Sequence, residues 1–215
     1  MEFELTTTHG TTVWRGEAPS LAAAVEEAAR AGASLDDLDL HGADLHAAKL
    51  SGVSLRGADL SCADLTEAHF EEACLSGARL VHACLFKTRM KRVWLDGACL
   101  DDADMAKVRL IEADLTGASL ARANLSGAAV MWAALTRAHF EDAVLDRACL
   151  KGSVLRHAVL RGASLHATNL LTADLSFADF TGADLVGVEC VGAIVTGAIF
   201  DEGVAATLEG TVTEG

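Results

Sequence analysis

The chain has no tyrosine, a single proline (Pro19) and only 5% aromatic residues in 215. Large rings normally supply much of a core's buried area, so this core must be filled by something smaller and repeated. No apolar run approaches the ~18 uninterrupted residues that cross a bilayer. The opening MEFELTTTHG lacks the basic start and apolar stretch of a secretory leader. A cytoplasmic protein with no membrane association is expected. The cysteines Cys62, Cys74, Cys84, Cys99, Cys149 and Cys190 show no C-x-x-C spacing, which predicts free thiols used as small apolar residues. Bases are few, 17 against 31 acids, and the net charge of −14 disfavours direct nucleic-acid binding.

Chemistry-bearing patterns are also missing. There is no glycine-rich phosphate loop, and the eight histidines show no H-x-x-x-H ligand spacing. His41 and His46 stand five apart, and His139 and His157 have no cysteine or carboxylate at a repeating offset of 20. The histidines read as surface residues. No catalytic residue, metal site or cofactor is expected.

What is present is a period of five. From Leu35 to Phe200 every fifth residue is apolar: 25 of the 34 are leucine, the others Phe70, Met90, Met105, Val130, Phe140, Phe180, Cys190, Val195 and Phe200. Two residues before each stands alanine in 26 cases, and leucine, valine, threonine or serine in the other eight. On an α-helix five residues advance about 500°, which scatters the leucines round the cylinder. On a flat strand an odd period sends them to alternate faces. The remaining solution bends once per repeat and points each large residue inward. Such a chain coils, and the coils bury one another as a stack. Glycine two after the centre, as at Gly42 and Gly152, suits the bends.

The segments ADLHA (43–47), ADLSC (58–62), ADLTE (63–67), ANLSG (123–127) and ADLVG (183–187) resemble the A(D/N)LXX motif of pentapeptide-repeat proteins. The resemblance implies an all-β solenoid, a right-handed quadrilateral β-helix with four repeats per coil. Residues 20 apart would then stack, and 34 repeats give about 8.5 coils, roughly 40 Å of rod.

Residues 1–32 are expected to close one end. The alternation in 2–16, with a turn at His9-Gly10, predicts a β-hairpin. Residues 21–31 predict a capping helix, N-capped by Ser20 and ended by Gly32, its stripe of Leu21, Val25 and Ala28 covering the first coil with Trp14. The β-helix occupies 33–202, and 203–215 form a C-terminal tail. Either that tail folds over the last coil through Val204 and Leu208, or two protomers meet end to end, so the protein is a monomer or an end-to-end homodimer.

Aspartates preceding the central apolar residue, such as Asp39, Asp59 and Asp179, read as turn supports, not as paired acids. Charge is unevenly spread: residues 34–72 carry −7, 73–173 carry +4 and 174–215 carry −8. Between Ala73 and Leu95 there are five bases and no acid. Stacking by 20 places Lys87 under Lys107, Arg89 under Arg109, and Lys91 under Ile111 and Met131. The candidate partner-binding residues are therefore Phe86, Lys87, Arg89, Lys91, Arg92, Trp94, Arg109, Ile111, Met131 and Trp132, a basic and apolar waist on an acidic rod. The reading is a non-enzymatic interaction or scaffold protein whose partner is another protein. The resemblance adds an alternative, a duplex-DNA mimic that binds or protects DNA gyrase. From that group the chain departs in its basic waist, in having no looped-out insertion and in lacking an evident C-terminal dimerisation helix.

Overall fold

The computed structural model describes residues 1–202 and the backbone of 212–213. Its body is a right-handed quadrilateral β-helix. Each repeat contributes one short side and one corner. The corner is closed by a hydrogen bond such as that donated by Ala43 N to Leu40 O (3.0 Å). The residue two after the centre takes positive φ, the signature of a type II turn. Twenty-nine parallel bridges join residues 20 apart, from Asp39–Asp59 to Asp179–Ile199, and tie each coil to the next. They define four faces. Face I carries Asp39, Asp59, Arg79 and onward, and face II Asp44, Asp64, Cys84 and onward. Face III carries Lys49, His69, Arg89, Arg109 and Ala129, and face IV Ser54, Cys74, Trp94, Asp114, Ala134 and Val154.

The interior follows the period. Every central residue from Leu35 to Phe180 is at most 2% exposed. Where a hydroxyl replaces the inner alanine, it donates to the central carbonyl one coil below: Thr88 to Leu65 O (2.8 Å), Ser153 to Val130 O (2.6 Å), Thr168 to Leu145 O (2.7 Å). No buried hydroxyl at these positions is left unpaired, which is the condition for tolerating it inside.

The corners hold the larger surprise. Glycine occupies only 13 of the 33 left-handed positions from Asp37 to Gly197; the other 20 carry a side chain at φ 53–61°. They include β-branched Thr172 and the rings of Trp132 and Phe177. Each is strained by a contact between Cβ and carbonyl that glycine avoids, so the fold accepts repeated local cost for a regular stack.

At the N-terminal end, β1 (Glu2–Thr6) and β2 (Thr12–Glu17) form the expected antiparallel hairpin. Trp14 lies across Gly16, where any Cβ would stand 2.6 Å from the indole. Helix α1 (Leu21–Arg30) is capped by Ser20, whose hydroxyl accepts from Ala23 N (3.2 Å). It ends where Ala33 N reaches Ala28 O and Gly32 turns left-handed. Val25 and Ala28 are buried in the core cluster that continues into the first coil, Ala24 is also buried, and Leu21 is half-buried. The hairpin hydrogen-bonds the open edge through Thr8 N to Asp37 O and Asp39 N to Thr6 O, and Glu26 of α1 accepts from Lys49 N (2.9 Å).

At the other end β3 (Ala193–Ile194) pairs in parallel with β4 (Val212–Thr213), so the tail returns to the edge of face IV. Val204 and Leu208 lie outside the described residues. The last central residues Val195 and Phe200 are half-buried, with Phe200 stacked on Phe180 at 5.1 Å.

Candidate functional site

All nine aspartates that precede a central leucine, methionine or phenylalanine cap the next corner, accepting from the amide two residues on; Asp39 takes His41 N, Asp64 takes Thr66 N and Asp184 takes Val186 N. Where the ladder residue is serine, an aspartate from the coil below takes over: Asp36 accepts from Arg56 N, Asp101 from Ala121 N and Asp146 from His166 N. These carboxylates are committed to turns. Asp179 accepts from the Thr181 hydroxyl (2.6 Å) and amide (3.0 Å) and from Arg161 Nε (2.6 Å), and these donors outweigh its burial and hold its pKa below the ordinary 3.8. Burial raises that of Asp174, but Ser176 and Arg156 overcome it and the net shift is also downward.

The cysteines are not used as core residues, apart from buried Cys190. Cys74, Cys84, Cys99 and Cys149 stand on the outward ladders, and Cys62 is at an exposed left-handed corner. Their place one before or two after the centre turns them outward, which a count of thiols could not reveal. All six are free. Among the described residues no group of histidines, cysteines and carboxylates is placed to hold a metal. Among them, too, no helix is long and apolar enough to cross a membrane.

The waist residues come together on face III and its two bounding corners. Going round one coil, Phe86 and Lys87 form the first corner, Arg89 the centre of face III, Lys91 and Arg92 the second corner, and Trp94 the adjoining face IV. Arg109 and Ile111 lie one coil above, Met131 and Trp132 two. Trp94 and Trp132 are 48% and 57% exposed, whereas Met131 is half-buried. The Trp132 indole lies over Gly152, where a Cβ would meet it at 2.6 Å. Phe86 carries two cations, Lys87 Nζ at 5.1 Å and Lys107 Nζ at 5.7 Å from the ring centre.

Stacking also supplies acids that the chain order hides. Lys87 pairs with Glu67 (3.4 Å), Arg92 with Glu72 (2.6 Å) and Lys91 with Glu112 (3.7 Å). The two corners are thus largely neutralised. Arg89 and Arg109, on face III between them, are exposed and have no ion pair among the described residues. With Lys91, Ile111 and Glu71 they line a shallow depression of about 160 Å³.

A second polar group, unmarked by any spacing in the sequence, joins three coils: His166 lies 3.1 Å from Asp184 and 3.6 Å from Asp146, with the Ser164 hydroxyl 2.9 Å from its Nδ1. His166 and Asp146 line a depression of about 680 Å³ with Lys107, Ser126 and Arg147, but it is widely open to solvent and lacks the enclosure acid–base chemistry uses.

A comparison with curated proteins gave no match. Among solved structures, HetL, a pentapeptide-repeat protein involved in heterocyst differentiation regulation from the cyanobacterium Nostoc sp. strain PCC 7120, is 28% identical; the match covers 80% of this chain and 95% of HetL, with a TM-score of 0.28. The pentapeptide-repeat protein alr5209 of Nostoc PCC 7120 is 25% identical over 46% of this chain and 84% of its own, TM-score 0.43. Full-length QnrB1, a plasmid-mediated fluoroquinolone resistance protein, is 22% identical over 79% and 83%, TM-score 0.32. The model of pentapeptide repeats matches in eight copies, in overlapping segments running from 31–61 to 163–201. That span holds the five-residue period, the type II corners and the stack by 20 alike, and by it the chain belongs to the pentapeptide-repeat family.

Proposed function

We propose that the protein is a non-catalytic, cytoplasmic interaction rod that binds another protein through its waist. One observation carries the reading: two half-exposed tryptophans adjoin two exposed arginines that form no ion pair among the described residues, on a chain of net charge −14. Tryptophan and arginine supply most interface hot spots, because a large rigid surface or a planar cation gains most when a partner excludes water. A photo-crosslinking residue in place of Ala134, on face IV two coils above Trp94 and two residues after Trp132, tests it in an extract of the native host. The protein captured there should be lost from the Trp94→Ala/Trp132→Ala variant at unchanged melting temperature and should bind the purified rod directly. Capture indifferent to both changes, or a collapse in melting temperature, overturns the waist as the site.

A second reading is favoured by the first coils. Asp39, Asp44, Asp59 and Asp64 form two outward ladders with no ion pair among the described residues. Such a surface supports mimicry of duplex DNA toward gyrase. If so, the purified protein inhibits gyrase supercoiling or protects it from quinolones at micromolar levels, and added salt weakens the effect. No effect in either assay at low salt removes this reading for the gyrase tested.

A further inference from the structure

We infer that the waist receives an acidic amphipathic helix of the partner, lying along the rod axis beside the corner between faces III and IV. This rests on the proposal that the waist binds a protein and names what that protein presents. Two short rows run along the axis, staggered by one coil and level with each other at Arg109 and Ile111. On face III, Arg89 and Arg109 are joined by a parallel bridge and therefore stand one coil apart, about 4.8 Å. At the adjoining corner Ile111 and Met131 repeat at the same spacing, with Trp132 beyond them. The first row is cationic: Arg89 and Arg109 form no ion pair among the described residues, Glu71 beside them lines the same depression, and the neighbouring Lys87, Lys91 and Arg92 are held by Glu67, Glu112 and Glu72. The second row is apolar. The complement is one carboxylate stripe and one apolar stripe, parallel and adjacent.

The spacing selects the kind of element that can carry them. A helix brings side chains of one stripe round every turn, about 5.4 Å, and misses the coil repeat by about 0.6 Å per coil. An extended strand repeats on one face every two residues, about 6.7 Å, and misses by about 1.9 Å. Over two coils the misfit is about 1.2 Å for the helix and about 3.8 Å for the strand. Flexible arginine side chains absorb the first and not the second. Carboxylates at i and i+4 are neighbours on a helix surface, about 5–6 Å apart, and fit two guanidiniums one coil apart.

The probe is an alanine-based peptide of about 18 residues, above the ~12–15 at which isolated helices begin to hold in water. It carries glutamates at i,i+4 on one stripe and leucines at i,i+4 on the next. Calorimetry against the full-length protein should give micromolar binding, at least tenfold tighter than a scrambled peptide of equal composition. The Arg89→Glu/Arg109→Glu variant, both changes at exposed positions, should lose it at unchanged melting temperature. Equal binding of the scrambled peptide, absence of binding, tighter binding of a duplex DNA of similar length, or protection of these residues by self-association in sedimentation would each overturn the helix. If the peptide fails while crosslinked capture still depends on Trp94 and Trp132, only the helix falls. If capture is also indifferent, the waist reading falls with it.

Discussion

The inner column of the rod and its corner column share one backbone, one period and one length, yet they obey different rules. Inside, Leu115 and Leu120 are fully buried and every neighbouring central residue is apolar. At the corners, glycine, arginine, aspartate, threonine and tryptophan all take the same left-handed turn. The inner column is fixed by volume, since close packing penalises a lost methylene. The corner column is fixed only by a backbone angle, which any residue meets at modest cost. The repeat therefore separates the residues that make the rod from those free to give it a surface.

The sharpest way to break that contrast is to carve the inner column. Leu115→Ala should cost about 2–5 kcal/mol by urea unfolding, because coils held above and below by bridges close poorly over a cavity. A loss under about 0.5 kcal/mol would show that the inner column tolerates change as the corners do. Next comes Gly152→Ala, where a methyl group would meet the Trp132 indole and must hold φ near +68°. A loss of about 1–2 kcal/mol is expected, with a shift in tryptophan emission, since the ring must leave its seat. The converse is Thr172→Gly, which frees a β-branched residue from φ 56° and should stabilise by about 1 kcal/mol.

Acid sharpens the contrast in another way. The folded pKa values of Asp174 and Asp179 lie below 3.8, so their ionised forms stabilise the fold above that pH. The contribution is lost as pH falls from about 3.8 through the lowered folded values. Melting temperature followed from neutral pH downward should drop in that window, and Asp179→Asn should flatten the drop. An unchanged profile would mean that the turn caps are idle. The smallest effect belongs to Arg122, which points to solvent as its register demands but holds Asp102 through two hydrogen bonds, 2.8 and 2.7 Å. Arg122→Glu should lower the melting temperature slightly, and about 1 M salt should erase the difference, as for any exposed ion pair.

The inner column was legible from the period alone, and the hairpin and the capped helix from local turn and capping chemistry, whereas four repeats per coil, and with them the coil count, came from the family resemblance. The waist was legible only in part. Trp94 and Trp132 are exposed as their register implies, and Arg89 does lie beneath Arg109. But Glu67, Glu72 and Glu112 neutralise Lys87, Arg92 and Lys91 across coils, and the direction a long side chain takes from a corner is not written in the repeat. The left-handed turns at Trp132 and Phe177 were hidden too, since glycine at other corners suggested that bends select their residue. The return of Val212–Thr213 to the edge of face IV follows a tail without any period to read.

The bridges at a constant offset of 20 make the surface a dial. Duplication of four repeats between Leu110 and Met131 would lift Trp132 one storey and leave it on the same edge as Arg92. Duplication of a single repeat would keep every leucine inside and every corner a corner, but would swing all that lies above it by a quarter turn. Arg89 and Trp132 would then face different directions on a rod just as well packed. Insertions in this chain are silent to the core and yet readdress the surface, so its length in repeats is a coordinate of its binding specificity.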